Sequence, residues 1–212
     1  MYLFLFHYTI YWYISIYYYL FDLYIYKNKI VDQYKNTPIT KKYWKYCNDS
    51  FKTACLNQFF ISLPFFHYTN KYISYKPTTI FIEITKLLFY VVIADIWFFS
   101  LHYLFHKIPF LYNYHKFHHR QHITAAVAAA DAHPIEHFLI NLGSAAIGPI
   151  LWNGYFLTLI FWTSLTTAIT FLTHSGYNIP FIGNEHILHH KYLKCNYGHV
   201  YLCDKLFNTY KK

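Results

Sequence analysis

"FLINLGSAAIGPILWNGYFLTLIFWTSLTTAITFLTH", residues 138–174, decides how this chain folds. It holds two apolar runs, punctuated by the small or helix-breaking residues Gly143, Gly148, Pro149, Asn153 and Gly154. We read two helices joined near "WNGY". A hairpin returns the chain to the side it left, whereas a single crossing would separate its flanks by a bilayer. Those flanks are "HKFHH" (115–119) and "HILHH" (186–190), each carrying three histidines at the same offsets. Joined by a hairpin, the two clusters lie on one face and can share a site.

Composition sets the environment. The length of 212 residues fits one domain. Hydrophobic residues reach 56% and charged ones only 13%, about half the charged share of a soluble domain. The 25 tyrosines and 21 phenylalanines suit membrane interfaces. The expected fold class is all-α: an integral membrane helical bundle of about four to five apolar helices, with a cytosol-facing, histidine-rich helical metal site. The formal net charge of +9 flanks the apolar segments instead of forming a face, so no nucleic-acid partner is expected. The lysines read as topology determinants and contacts to anionic lipid. Four cysteines form no CxxC and read as reduced structural thiols.

Three regions are expected. Residues 1–26 form a first membrane helix, long enough to span a hydrocarbon core of roughly 30 Å. Residues 27–78 form a basic cytoplasmic loop, rich in lysine, with a short apolar segment (54–68) that Pro64 interrupts. That segment reads as half of a hairpin or as interfacial. Residues 79–212 carry the chemistry. Within them, 78–106 is long, apolar and ends in two histidines, and lysines surround both later clusters. By the positive-inside rule the site faces the cytosol.

Of 15 histidines, 13 lie after residue 100. His102 and His106, spaced i,i+4, share one helical face. His115, His118 and His119 share another, and His186, His189 and His190 repeat that geometry. His174 ends the second hairpin helix. Nine imidazoles exceed the four ligands of one structural zinc, so two metals are the economical reading, and redox iron suits oxidation better than zinc. His7 and His67 read as ordinary; His122 and His199 lie beside the clusters or on the surface. His133 and His137 in "DAHPIEH", with Tyr177 in "HSGYN", line the substrate entrance, although His133 and His137 equally suit a helix start at Pro134. Asp95, Asp131 and Asp204 are candidates to orient ligand rings through their second nitrogen, or simply cap helices. Asn196 and Tyr197 shape the turn after the last cluster. A metal-binding or transport protein without oxygenase activity is the competing reading. A transporter should carry ligands near the bilayer midplane, whereas these sit at helix ends.

From about Asp95 to Thr209 the chain resembles the fatty acid hydroxylase/sterol desaturase superfamily. "HYLFH", "HKIPFLYNYHKFHH" and "HILHH" are similar to its three histidine boxes, in order. "DAHPIEH" and "HSGYNIP" resemble segments of methylsterol monooxygenases, and "HSGYN" with "KCNYG" is similar to the cholesterol 25-hydroxylase type. "NYGHVYLCDKLFNTY" is similar to the closing segment, with Cys203 where the family has Trp and Asn208 where it has Gly. Glu185 stands where sterol oxidases often carry another histidine. The resemblance implies a catalytic domain over 79–212 in an endoplasmic reticulum-type integral membrane monooxygenase. It would use two non-haem iron ions, O2 and NAD(P)H electrons delivered by cytochrome b5 and its reductase. Its substrate would be a lipid hydroxylated at an unactivated C–H bond, a sterol (C4-methyl oxidase or side-chain hydroxylase type) favoured over a fatty acyl chain. A sterol or fatty acid desaturase would use the same metal site.

Overall fold

The computed structural model describes residues 2–27, 39–120, 125–177 and 185–212. Helix α1 (Tyr2–Lys27) has 26 residues. Helix α2 (Lys41–Asn57) begins at Thr40, whose hydroxyl accepts from the amide of Tyr43. Its buried residues Tyr43, Cys47, Ser50, Ala54 and Asn57 recur at helical spacing, while Lys41, Lys42, Lys45 and Lys52 stay exposed. The stretch 41–57, expected as part of a basic loop, is therefore an amphipathic helix whose outer face carries the lysines.

A π-turn (Gln58–Ser62) carries α2 directly into α3 (Leu63–Thr69). Pro64 does not interrupt this segment, because it occupies the first turn of α3, where its missing N–H costs little. Helix α4 (Ile80–Lys107) has 28 residues, about 42 Å at 1.5 Å per residue. Of its interior charged residues, Glu83 and Lys86 pair at 3.0 Å. Pro109 ends it and opens α5 (Pro109–His115).

The expected hairpin is present. Helix α6 (Pro134–Glu136) passes through a π-turn (His137–Leu142) into α7 (Gly143–Leu151). The chain then turns, and α8 (Phe156–His174) returns. Strands β1 (Ile73–Ser74) and β2 (Gly154–Tyr155) pair in parallel at this turn. Helices α4 and α7 approach so closely that a Cβ on Gly148 would lie 2.9 Å from the Tyr90 Cα. Tyr90 donates to the Trp152 carbonyl at 2.6 Å, and Trp162 of α8 donates to the Ala145 carbonyl at 2.7 Å. Helix α9 (Glu185–Tyr192) and the short α10 (Leu202–Leu206) complete the fold.

Among the described residues, α4 and α8 are long and apolar enough to cross a membrane. Helix α1 has the length, but its many tyrosines lower its hydropathy. Helix α4 exposes Phe81, Ile84, Leu88, Val92 and Ile96, a stripe at i, i+3 or i+4 spacing; α8 exposes Leu157, Phe161 and Leu165. Such outward apolar stripes on long helices belong against lipid, and the chain is membrane-associated. On the inner side, α1 lies along α8, where Tyr11, Ala54, Ala126, Ala129, Ala130 and Phe171 form a core cluster. Small alanines let the turn 126–130 reach this depth. Both apolar helices run towards the same end and finish at histidines: His102 and His106 on α4, His174 on α8.

Candidate metal centre

All nine candidate ligand histidines converge there, in two groups. His102, His106, His115, His119 and His189 form one; His118, His174, His186 and His190 form the other, and within each group the ligand nitrogens lie within 4.8 Å of one another. The i,i+4 pairs do what their spacing predicts: His102 and His106 point together from α4, and His186 and His190 from α9. The two groups interleave. "HKFHH" gives His115 and His119 to the first and His118 to the second, and "HILHH" gives His189 to the first and His186 with His190 to the second. They adjoin where the rings of His119 and His190 are 4.6 Å apart. Except for the half-buried His106, every ring is buried.

The far side of the rings fixes where their protons sit. His102 Nδ1 lies 2.8 Å from the Tyr197 carbonyl, and His189 Nδ1 2.7 Å from the Cys195 carbonyl. His118 Nδ1 faces the Asp131 carbonyl at 3.2 Å, and His174 Nδ1 the Thr170 carbonyl at 2.8 Å. A carbonyl only accepts, so each Nδ1 carries the proton and each Nε2 presents a bare lone pair. Yet Nε2 atoms meet at 2.8 Å (His106–His115), 3.1 Å (His102–His115, His106–His189) and 3.0 Å (His174–His186). Where both rings keep their proton on Nδ1, as in His118 and His174 with their Nε2 atoms 3.4 Å apart, the facing lone pairs repel unless a cation sits among them. Protonation is not the remedy, because burial lowers His115 and His189 to about 3 and holds His118, His119, His186 and His190 below the ordinary imidazole value. Neutral, convergent imidazoles, four of them with the tautomer set by a backbone carbonyl, are the donor set that a transition metal needs, so the residues fit two metal ions.

The supporting groups differ from expectation. The carboxylates of Asp95 and Asp204 do not touch a ligand ring. Asp95 accepts from the amides of His199, Val200 and Cys203 at 2.9–3.0 Å. Asp204 accepts from the amides of Tyr197 and Gly198, at 2.8 and 2.6 Å, and from the Thr209 hydroxyl. Buried carboxylates are satisfied by several backbone N–H groups at once, and here they pin the loop whose carbonyls hold His102 and His189. Asp131 likewise serves His118 through its backbone carbonyl, while its carboxylate accepts from Ser50 at 2.9 Å. Asn196, at φ 55°, donates to the carbonyls of Glu185 and Lys211 and so ties α9 to the last residues.

The carboxylate that does meet a ligand ring is Glu136, unforeseen in the sequence: its Oε1 lies 2.9 Å from His115 Nδ1. The two atoms are in ion-pair contact without the geometry of a hydrogen bond, so Glu136 places a carboxylate beside the ring. Burial pushes the Glu136 carboxyl up to about 8, and a cation on His115 Nε2 would supply the charge that favours its ionised form.

A cavity of about 210 Å³ opens onto His102, His115, His118, His174 and His186 and runs between α1, α7 and α8. Of the expected entrance residues, His137 lines it, with Nε2 3.0 Å from Ser62 Oγ. His133 instead caps α6 by accepting from the Ile135 amide, which its place before Pro134 explains. Tyr177 donates to Asp22 and is not among the cavity-lining residues. The His199 ring lies tilted against Phe98, centroids 3.8 Å apart, and lines the cavity; His122 lies outside the described residues. The four cysteines are free thiols.

The fatty acid hydroxylase family model matches residues 87–209. The human fatty acid hydroxylase domain-containing protein 2 is 28% identical over 169 residues, covering 76% of this chain and 51% of that protein. Fatty acid hydroxylase ahd1 of Mycosarcoma maydis is 37% identical over 121 residues, 55% of this chain and 31% of its own. Methylsterol monooxygenase 1 of Gallus gallus is 28% identical over 198 residues, 84% and 67% of the two chains. The chain spans about half the length of the first of these relatives. No solved structure matches. The matched stretch contains all nine converging histidines and the carboxylates that brace them, and the chain belongs to the fatty acid hydroxylase family.

Proposed function

We propose that the chain is a membrane monooxygenase that hydroxylates an unactivated C–H bond of a lipid, with a sterol favoured over a fatty acyl chain. The observation that carries this is the convergence of nine neutral imidazoles, in groups of five and four, at one end of an apolar cavity. The five-membered group would hold one iron through His102, His106, His115, His119 and His189, and the four-membered group a second through His118, His174, His186 and His190. Bound iron would supply O2 activation and one-electron chemistry. The chain's own residues do the rest. Backbone carbonyls fix ring orientation, Glu136 sets a carboxylate beside His115, the apolar wall holds the lipid and excludes water, and the π-turn that begins at His137 shapes the passage to the ligands. The names of the methylsterol monooxygenases among the relatives support the sterol assignment. Electrons would come from NAD(P)H through cytochrome b5 and its reductase, on the cytosolic face of an endoplasmic reticulum-type membrane. The lysines around both histidine clusters suit an acidic donor.

The test is lipid mass spectrometry on yeast lacking its own methylsterol oxidase, expressing the intact chain or the His118→Ala variant. A lipid that gains one oxygen only with the intact chain supports the reading. Loss of two hydrogens instead identifies a desaturase on the same site. Identical extracts, with protein and cytochrome b5 confirmed, contradict both.

A further inference from the structure

A second set of polar groups lines the same cavity, away from the ligand histidines. His7 and Tyr11 come from α1 and Gln58 from the end of α2, and their relative exposures are 8%, 3% and 1%. His7 Nε2, the Tyr11 hydroxyl and Gln58 Oε1 make no hydrogen bond among the described residues. His7 Nδ1 is held 3.3 Å from Thr167 Oγ1, and the Gln58 side chain lies beside the His7 ring. Buried polar groups are nearly always paired, so three without partners on one cavity call for a ligand that completes them.

Their chemistry limits that ligand. All three groups are neutral, and no Lys or Arg lines the cavity, so a carboxylate or phosphate would be buried there without a counter-charge. A hydroxyl fits. Its O–H donates to Gln58 Oε1, and its two lone pairs accept from the Tyr11 O–H and from His7 Nε2–H when Thr167 donates to His7 Nδ1. Thr167 precedes His174 by seven residues, about 10 Å along a straight helix. A hydroxyl at His7 therefore anchors one end of a lipid while a carbon several bonds away meets the histidines.

We infer that His7, Tyr11 and Gln58 form a hydroxyl-binding subsite, and that the lipid presented to the metal centre is a neutral alcohol rather than a free acid or a phospholipid. This deepens the oxygenase reading and rests on it. All three residues precede the stretch matched by the family model, so the amino-terminal helices select the lipid while residues 87–209 carry the chemistry.

Equilibrium binding to the purified full chain in detergent micelles tests this with two lipid pairs and an acid: cholesterol with its 3-deoxy analogue, octadecanol with octadecane, and stearate. The variants are Tyr11→Phe, which keeps the ring against Trp12 and Phe171, and Gln58→Leu. Thermal stability and iron content are measured beside each. The expected result is that at least one alcohol binds about tenfold tighter than its deoxygenated partner and than stearate, and that the double variant reduces this preference to about twofold or less. Equal binding within both pairs, tightest binding of stearate, or a preference that survives in the folded, iron-containing double variant overturns the subsite. The two readings fail separately. A protein with no alcohol preference still yields oxygenated lipid in yeast if the oxygenase reading holds, whereas an alcohol preference without oxidised product overturns that reading alone.

Discussion

His118 and His174 face one another Nε2 to Nε2 at 3.4 Å while each gives its Nδ1 proton to a backbone carbonyl, Asp131 and Thr170 respectively. Two lone pairs so placed are stable only around a cation. Stripping metal with a strong chelator should lower the melting temperature by on the order of 10 °C, because binding free energy at such a site is also folding free energy. Differential scanning fluorimetry of metal-loaded and stripped protein reads this directly. An unchanged transition would mean that the histidines tolerate one another without a metal.

Glu136 should behave as a positioning residue. Glu136→Ala removes the carboxylate beside His115 Nδ1, and metal affinity should fall roughly 10- to 100-fold in a chelator competition. Glu136→Gln retains an acceptor oxygen and should lose less. Equal losses in the two variants would point to a role for the charge alone. No loss in either would remove Glu136 from the site.

The clamp made by Asp95 and Asp204 serves only the first histidine group, since it holds the loop carrying the Tyr197 and Cys195 carbonyls. Gly198 sits between the two carboxylates, and a Cβ there would fall 2.7 Å from Asp95 Oδ1 and 2.9 Å from Asp204 Oδ2. Gly198→Ala should therefore release metal from the group containing His102 and His189 and spare the group containing His118 and His174. Elemental analysis showing both metals retained, or both lost with the fold intact, would contradict that division.

Asp22 joins three distant parts of the chain, because the hydroxyls of Tyr43 and Tyr177 both donate to its carboxylate. Asp22→Ala removes a shared acceptor from one buried and one half-buried phenol. It should cost about 2–4 kcal/mol and lower the melting temperature by roughly 5–15 °C. Asp22→Asn should recover part of this. Equal melting temperatures for wild type and Asp22→Ala would show that the bonds are not formed in solution.

The convergence of the nine candidate histidines was legible because helix periodicity alone places i, i+3 and i+4 rings on one face. Their division into five and four was not, since it depends on how "HKFHH" and "HILHH" interleave in space. Glu136 escaped notice because "DAHPIEH" reads locally as a helix start, and its partner His115 lies 21 residues earlier. The carbonyls of Tyr197, Cys195, Asp131 and Thr170 leave no trace in residue type, whereas Asp95 and Asp204 suggested the direct contact that those carbonyls make instead. Helix α2 was legible in principle, from Tyr43, Cys47, Ser50 and Ala54, but the lysines on its outer face masked that spacing. His7, Tyr11 and Gln58 become a group only when α1 and α2 meet.

The central claim is that nine histidines hold two redox metals. It is tested most directly by inductively coupled plasma mass spectrometry of protein purified from iron-supplemented cells. Two iron ions per chain are expected. One should be lost with His106→Ala/His119→Ala and the other with His174→Ala/His190→Ala. One ion per chain, zinc in place of iron, or loss of both metals from either folded double variant would contradict it.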